Sequence, residues 1–164
     1  MKGKTGSLNY LKYPLKKIKQ QLYQYCQQWV DHKIALAQKE INAVQTSANE
    51  ETKSSIGDKY ETGRAMAQLE IEKNTRQLVE ANKLKQLLSR FSGESKTGNI
   101  QLGSLIQANN SWFYLSIGAG KITLDDVDYI CLSPMSPLGA KMMNLGPEDK
   151  FSFNKLDYHI QKVY

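Results

Sequence analysis

Two runs of helical periodicity, one from about Pro14 to Ala48 and one from Asp58 to about Phe91, are separated by a single polar break. Two helices of similar length joined by a short turn pack antiparallel, each covering the other's apolar stripe. In the first run Leu15, Ile18, Leu22, Tyr25, Trp29, His32 and Leu36 recur at three-four spacing, the seam of a coiled coil, and Ile41 and Val44 continue it with a shifted phase. Pro14 suits a first helical turn, where its missing N–H leaves nothing unpaired. Gln20, Gln21, Gln24, Gln27 and Gln28 fill the other faces with good helix formers. Such a helix is roughly 50 Å long at about 1.5 Å per residue. In the second run Met66, Leu69, Ile71, Thr75, Leu78, Ala81, Leu84, Leu88 and Phe91 keep helical spacing, Glu72 and Arg76 form an i,i+4 pair, and Ser92-Gly93 ends the run. A hairpin this long cannot be fully buried in a chain of 164 residues, so its far end is expected to project.

The break itself, Asn49 to Gly57, is polar, and Gly57-Asp58 reads as a stop followed by a restart. Asp58 and Glu61 then stand three residues apart at the start of a helix, on one face and about a turn from each other. Asp58-x-x-Glu61 has the pattern of a capping box, in which each side chain satisfies the other's backbone N–H. The same spacing sets two carboxylates side by side at the expected tip.

After Gly93 the pattern changes. Residues 94–99 are a polar linker, and short apolar, β-branched and aromatic runs follow between turn signals: Leu102 to Gln107, Trp112 to Ile117, Ile122 to Leu124, Tyr129 to Leu132, Phe151 to Phe153 and Leu156 to Val163. Asn109-Asn110, Gly118-Ala119-Gly120 and Asp125-Asp126 mark the turns. Ser136 to Asn144 is a short helix with Ser136 as cap and Pro137 at its first position, closed by Gly146-Pro147. The expected fold class is α+β: a long antiparallel coiled-coil hairpin over 14–93, then a small antiparallel β domain over 100–164 with one short helix. Within it, Trp112-Phe113-Tyr114 reads as sheet packing before it reads as a base-stacking platform.

Charge is informative by its location. Residues 1–20 hold six lysines (Lys2, Lys4, Lys12, Lys16, Lys17 and Lys19) and no acid, which leaves the rest of the chain with 16 basic and 16 acidic side chains. The whole excess of +6 is therefore N-terminal, and residues 1–13 read as a basic arm suited to an acidic surface or a phosphate backbone. No apolar run approaches the roughly 18 residues of a membrane span, and no apolar segment follows the first lysines, so the expected setting is the cytoplasm. Cys26 and Cys131 form neither a metal-ligand spacing nor a disulfide framework, and both are expected to be reduced and partly buried. His32 reads as a seam residue, and His159 has no acid or cysteine motif beside it.

The stretch Ser136-Pro137-Leu138-Gly139, an apolar helical turn, Leu145-Gly146, the acidic turn Glu148-Asp149 and a last strand ending Ile160-Gln161-Lys162-Val163-Tyr164 resemble the C-terminal domain of the bacterial GreA/GreB transcript-cleavage factors. Gly57-Asp58-Lys59-Tyr60-Glu61 resembles their acidic tip, and the order of parts agrees from about Leu15 onward. The resemblance implies an FKBP-like C-terminal domain and RNA polymerase as partner, with the coiled coil inserted in the polymerase's secondary channel. It implies that Asp58 and Glu61 help hold a second Mg²⁺ shared with the polymerase and orient the water that cleaves the 3′ end of backtracked nascent RNA. The chain is then a monomeric accessory factor with no tightly bound cofactor of its own, and Ser136, Pro137, Leu138 and Gly139 are candidates either for the partner contact or for a structural turn. After Glu61 the sequence departs from the family, with Thr62-Gly63-Arg64-Ala65 where the factors have Asn-Ala-Glu-Tyr. That departure favours a relative that occupies the channel without cleaving. An FKBP-like protein-binding module or prolyl isomerase ranks below both, because fold alone does not carry function.

Overall fold

The computed structural model describes residues 14–51, 58–91 and 98–164. It is α+β, with helices α1 (Leu15–Glu51) and α2 (Asp58–Ser89), strands β1 (Leu105–Ala108), β2 (Ser111–Leu115), β3 (Gly120–Leu124) and β4 (Val127–Leu132), helix α3 (Pro137–Met142), and strands β5 (Lys150–Phe153) and β6 (Leu156–Val163). α1 runs three residues beyond the expected end at Ala48, since Asn49, Glu50 and Glu51 carry nothing that stops a helix. The chain forms two compact units: Gln28–Gln86, and the residues up to Gln27 together with Leu87–Tyr164. No helix among the described residues is long and apolar enough to cross a membrane.

The six strands lie in the order β3-β4-β2-β1-β6-β5. The sheet is mixed, which corrects the expectation of an antiparallel one: β2 and β4 pair in parallel, Tyr114 opposite Cys131 and Leu115 opposite Leu132. The reason is topological. After β2 the chain skips one position to lay down β3, and the return strand β4 fills the gap antiparallel to β3, hence in the same sense as β2. Turn composition reports each reversal but not which strands become neighbours. The β3–β4 and β5–β6 hairpins each turn on two residues with positive φ, Asp125 and Asp126 (49° and 63°) and Asn154 and Lys155 (51° and 64°), the geometry whose twist matches paired strands.

Side chains alternate between the two faces of a sheet. On one face Ile106, Ala108, Phe113, Leu115, Ile160 and Val163 form a buried cluster with Ile100 and with Met142 of α3. On the opposite face of β2 and β4 lie Tyr114 and Cys131, both buried. The first turns of α1 bond to residues of this unit: Lys19 Nζ donates to the Tyr164 carbonyl at 3.1 Å, Tyr25 Oη to the Ala119 carbonyl at 3.3 Å, and Cys26 Sγ lies 3.4 Å from Ser116 Oγ. Tyr23 donates to the Leu88 carbonyl at 3.1 Å and meets the Phe91 ring edge-on, with centroids 5.5 Å apart. Phe91 in turn covers Gly103, at φ +89°, where a Cβ would come within 2.9 Å of the ring.

These contacts correct the seam of α1. The buried positions are Ile18, Leu22, Cys26, Val30, Ala37 and Ile41, whereas His32 is exposed and Leu36 is 46% exposed. A strict three-four pattern presumes that the partner is another helix; over the first turns the partner is the sheet unit, and the stripe advances in steps of four. Ile41 and Val44 are then in phase with it. On α2, Met66 and Leu69 are exposed at 64% and 59%, while Asn74, Ala81 and Leu88 are buried. Glu72 accepts from Gln68 at 3.1 Å. Asp31 and Lys85 bridge the two helices at 2.7 Å, but both are exposed, so the pair adds little to stability.

Two buried polar groups run against the apolar pattern. Lys19, one of the six lysines that carry the N-terminal charge excess, is buried, and burial pulls its pKa from 10.5 down to about 8. Asn74 is 1% exposed and neither of its amide atoms has a hydrogen-bond partner among the described residues. A polar side chain at a seam position specifies register at a cost in stability.

Between about pH 8 and 10.5 unfolded Lys19 holds its proton while the folded group gives it up, so folding stability rises with pH across that window. The Tm of the wild type minus that of Lys19→Met is expected to climb over the window; a flat difference contradicts the burial of the charge. Asn74→Leu is expected to stabilise the protein by about 1–3 kcal/mol in urea unfolding, the penalty of leaving a buried amide unpaired, and a loss of stability contradicts it.

Candidate functional site

α2 opens at Asp58, and Glu61 follows three residues later with its side chain exposed. The Asp58 carboxylate, Gly57 and the rest of the turn at 52–57 lie outside the described residues, as do the basic arm at 1–13 and linker residues 94–97. Thr62 and Arg64 are exposed, so Glu61 and Arg64 bring an anion and a cation to positions three apart on one helix face. Gly63 between them weakens the helix by about 1 kcal/mol relative to Ala.

This end of the helical unit is thinly packed. Ala43, Val44, Ser47 and Ala48 of α1 and Gly63, Met66 and Ala67 of α2 line a groove of about 410 Å³. Val44, Ala48, Gly63 and Ala67 are only half-buried, in contrast to Val30 and Ala81 elsewhere on the same helices. Small side chains at seam positions do not fill the space between the helices, and Met66 is left on the rim.

The second candidate segment is the turn into α3. Ser136 is the N-cap: its Oγ accepts from Gly139 N at 3.1 Å and donates to the Ser133 carbonyl at 2.6 Å. Ser133 Oγ accepts from Met135 N at 3.1 Å. Gly139 is buried with no room for a side chain, since a Cβ would lie 2.0 Å from the Ser133 carbonyl oxygen. Leu138 packs against the core cluster. Ser136, Leu138 and Gly139 therefore build the turn, and the surface it offers is Pro137 and Met135, the latter 88% exposed. Sequence reasoning passed over Met135, although an apolar side chain between two prolines in a capped turn is a readable sign of an apolar group on display.

His159 has an acidic partner after all: Nε2 lies 3.1 Å from Glu148 Oε2, brought there because Glu148 N donates to the Ile160 carbonyl at 2.7 Å. Lys121 bonds Asp128 at 2.7 Å, and that contact, with Thr123, holds the Asp128 carboxyl below its ordinary range. Of the aromatic strand, Phe113 and Tyr114 are core, and Trp112 is half-buried with Tyr164 stacked at 6.2 Å and Tyr129 at 6.1 Å. Sheet packing accounts for all three. No family model, curated protein or solved structure matches the chain.

The α3 turn yields a sharp contrast. Gly139→Ala is expected to destabilise by about 2–3 kcal/mol, as overpacking against backbone does, while Pro137→Ala, at an exposed first-turn position, changes stability by less than about 1 kcal/mol. Equal urea midpoints for the two variants would contradict the close approach at Ser133.

Proposed function

We propose that this chain is a GreA/GreB-like transcription elongation factor that binds RNA polymerase and places its helical hairpin in the secondary channel. The observation that carries the reading is the order of parts: a two-helix hairpin whose second helix opens at Asp58 with Glu61 exposed one turn on, then a sheet domain containing the Ser136-capped, Gly139-dependent turn. In this reading the sheet domain is FKBP-like and binds the polymerase through the exposed Pro137 and Met135. The chain is an accessory to the polymerase's hydrolytic activity and not an enzyme by itself.

Asp58 and Glu61 suit a shared Mg²⁺, because this ion takes oxygen donors, usually one or two carboxylates with several waters retained. When bound, the ion stabilises charge on the attacking and leaving oxygens of a phosphoryl displacement. The chain's own contribution is to present two anionic groups on one helix turn, with a Glu61 oxygen accepting a hydrogen bond from the attacking water and so orienting it toward the RNA 3′ end.

A second reading, a non-cleaving occupant of the same channel, is favoured by Arg64. A guanidinium three residues from Glu61 competes for its carboxylate or meets an RNA phosphate. The two readings separate in a backtracked elongation complex from the cognate host. The expected result is 3′ shortening of the transcript by wild type, lost in Asp58→Asn and Glu61→Gln by about 10²-fold or more while binding persists. Binding with an intact transcript in every case supports the non-cleaving regulator, and failure to bind the polymerase overturns both.

A further inference from the structure

The chain has two cysteines, and the fold brings them into one neighbourhood, around Ser116. Cys26, on the fourth turn of α1, and Cys131, on β4, are both free and both buried, at 0% and 2% exposure. Tyr114 and Cys131 are parallel-register partners, so their side chains share a face, and Ser116, two residues beyond Tyr114, continues that face. Ser116 is the link. Its Oγ lies 3.4 Å from Cys26 Sγ, and its N–H donates at 2.8 Å to the carbonyl of Leu132, next in chain to Cys131. The two thiols lie close enough for each to bear on the other's ionisation. The role proposed for the tip does not involve this pair, and packing alone asks only for two small buried side chains, not for two thiols.

We propose that Cys26 and Cys131 are a hydroperoxide-oxidised pair that closes to a disulfide tying α1 to β4. The two sulfurs are unequal. Hydrogen bonds from Cys131, Ser116 and the Ile117 backbone favour the Cys26 thiolate against the effect of burial, while the neighbouring Cys26 and burial push the Cys131 thiol up. Cys26, whose Sγ lies 3.4 Å from a Ser116 hydroxyl able to donate to its thiolate, is the nucleophile, and Cys131 is the resolving thiol. The Cys26 thiolate attacks one oxygen of the hydroperoxide: an S–O bond forms, the O–O bond breaks, and the alcohol or water leaves after taking up a proton. The Cys131 thiol then gives up its proton and attacks the Cys26 sulfenic sulfur, the S–S bond forms, and water departs. Two thiols and one hydroperoxide give one disulfide, one alcohol or water, and one further water.

Burial sets the selectivity. Hydrogen peroxide is close to water in size and enters with local fluctuations of the helix, whereas a bulky aromatic disulfide reagent is excluded from the folded protein. The test treats the full-length reduced protein with hydrogen peroxide or with the aromatic disulfide. Thiols are counted after denaturation, and peptides are mapped by mass spectrometry. Peroxide is expected to take the count from two to zero, with a single 26–131 crosslinked peptide, restoration by dithiothreitol, and a higher Tm for the oxidised form because the unfolded chain is constrained. The aromatic reagent is expected to react only after unfolding. In Cys131→Ala, peroxide is expected to leave Cys26 as a sulfenic acid, trapped when the protein is unfolded in the presence of dimedone, and in Cys26→Ala the remaining thiol stays unreacted. Disulfide-linked dimers, an unchanged thiol count, or Cys26 over-oxidised in wild type with Cys131 still free would each overturn the proposal. Circular dichroism of both variants confirms that they fold, and if either does not, Cys131→Ser and Cys26→Ser serve in its place.

Discussion

One stripe along α1 meets two kinds of partner, and the architecture depends on that division. Ile18, Leu22 and Cys26 are buried within the unit that holds the sheet, and Val30, Ala37 and Ile41 within the unit made only of helix. A sheet face and a helix make different demands on a helical stripe. The first accepts aromatic and polar side chains whose ends bond to strand-end carbonyls, as Tyr25 and Lys19 do. The second needs a narrow apolar seam with small residues where the backbones approach. The change of spacing between Cys26 and Val44 is the sequence trace of this change of partner.

Much of the fold was legible for reasons that can be named. Capped and broken helical runs delimited α1 and α2 to within a few residues, and Ser136-Pro137 announced α3 because an N-cap and a first-position proline are local signals. Each predicted strand exists. The parallel pairing of β2 and β4 was not legible, because it depends on which gap in the sheet a returning strand fills, and no residue type encodes that. The seam is one residue off at Cys26 because Tyr25 and Trp29 are large and partly apolar and so fit the three-four spacing; in the structure the small thiol goes in and the two aromatics are half-buried. The meeting of Cys26 with Cys131, and of Glu148 with His159, is tertiary and left no spacing to read.

The candidate site was legible only in part. Asp58 and Glu61 were marked in the sequence by their position at a helix start; α2 does start at Asp58, and Glu61 is exposed. The Ser136 to Gly139 segment was open to two readings, a partner contact or a structural turn; Ser136 bonds to the Ser133 carbonyl and Gly139 packs against it. What the segment displays is set by that constraint: a turn with no freedom at Gly139 fixes where Met135 and Pro137 point. A rigid turn presenting an apolar side chain suits a docking role, since little conformational entropy is lost on binding.

The central claim is that the helical hairpin of this chain enters RNA polymerase near its catalytic centre. A photo-crosslinker at position 59, between the two tip carboxylates, tests this most directly in a complex with the cognate polymerase, followed by mapping of the crosslinked peptides. The account predicts crosslinks to polymerase segments that line the secondary channel and to the 3′ segment of backtracked RNA, removed by excess unlabelled wild type. Crosslinks confined to the outer surface of the polymerase, or none despite stable binding, would contradict it.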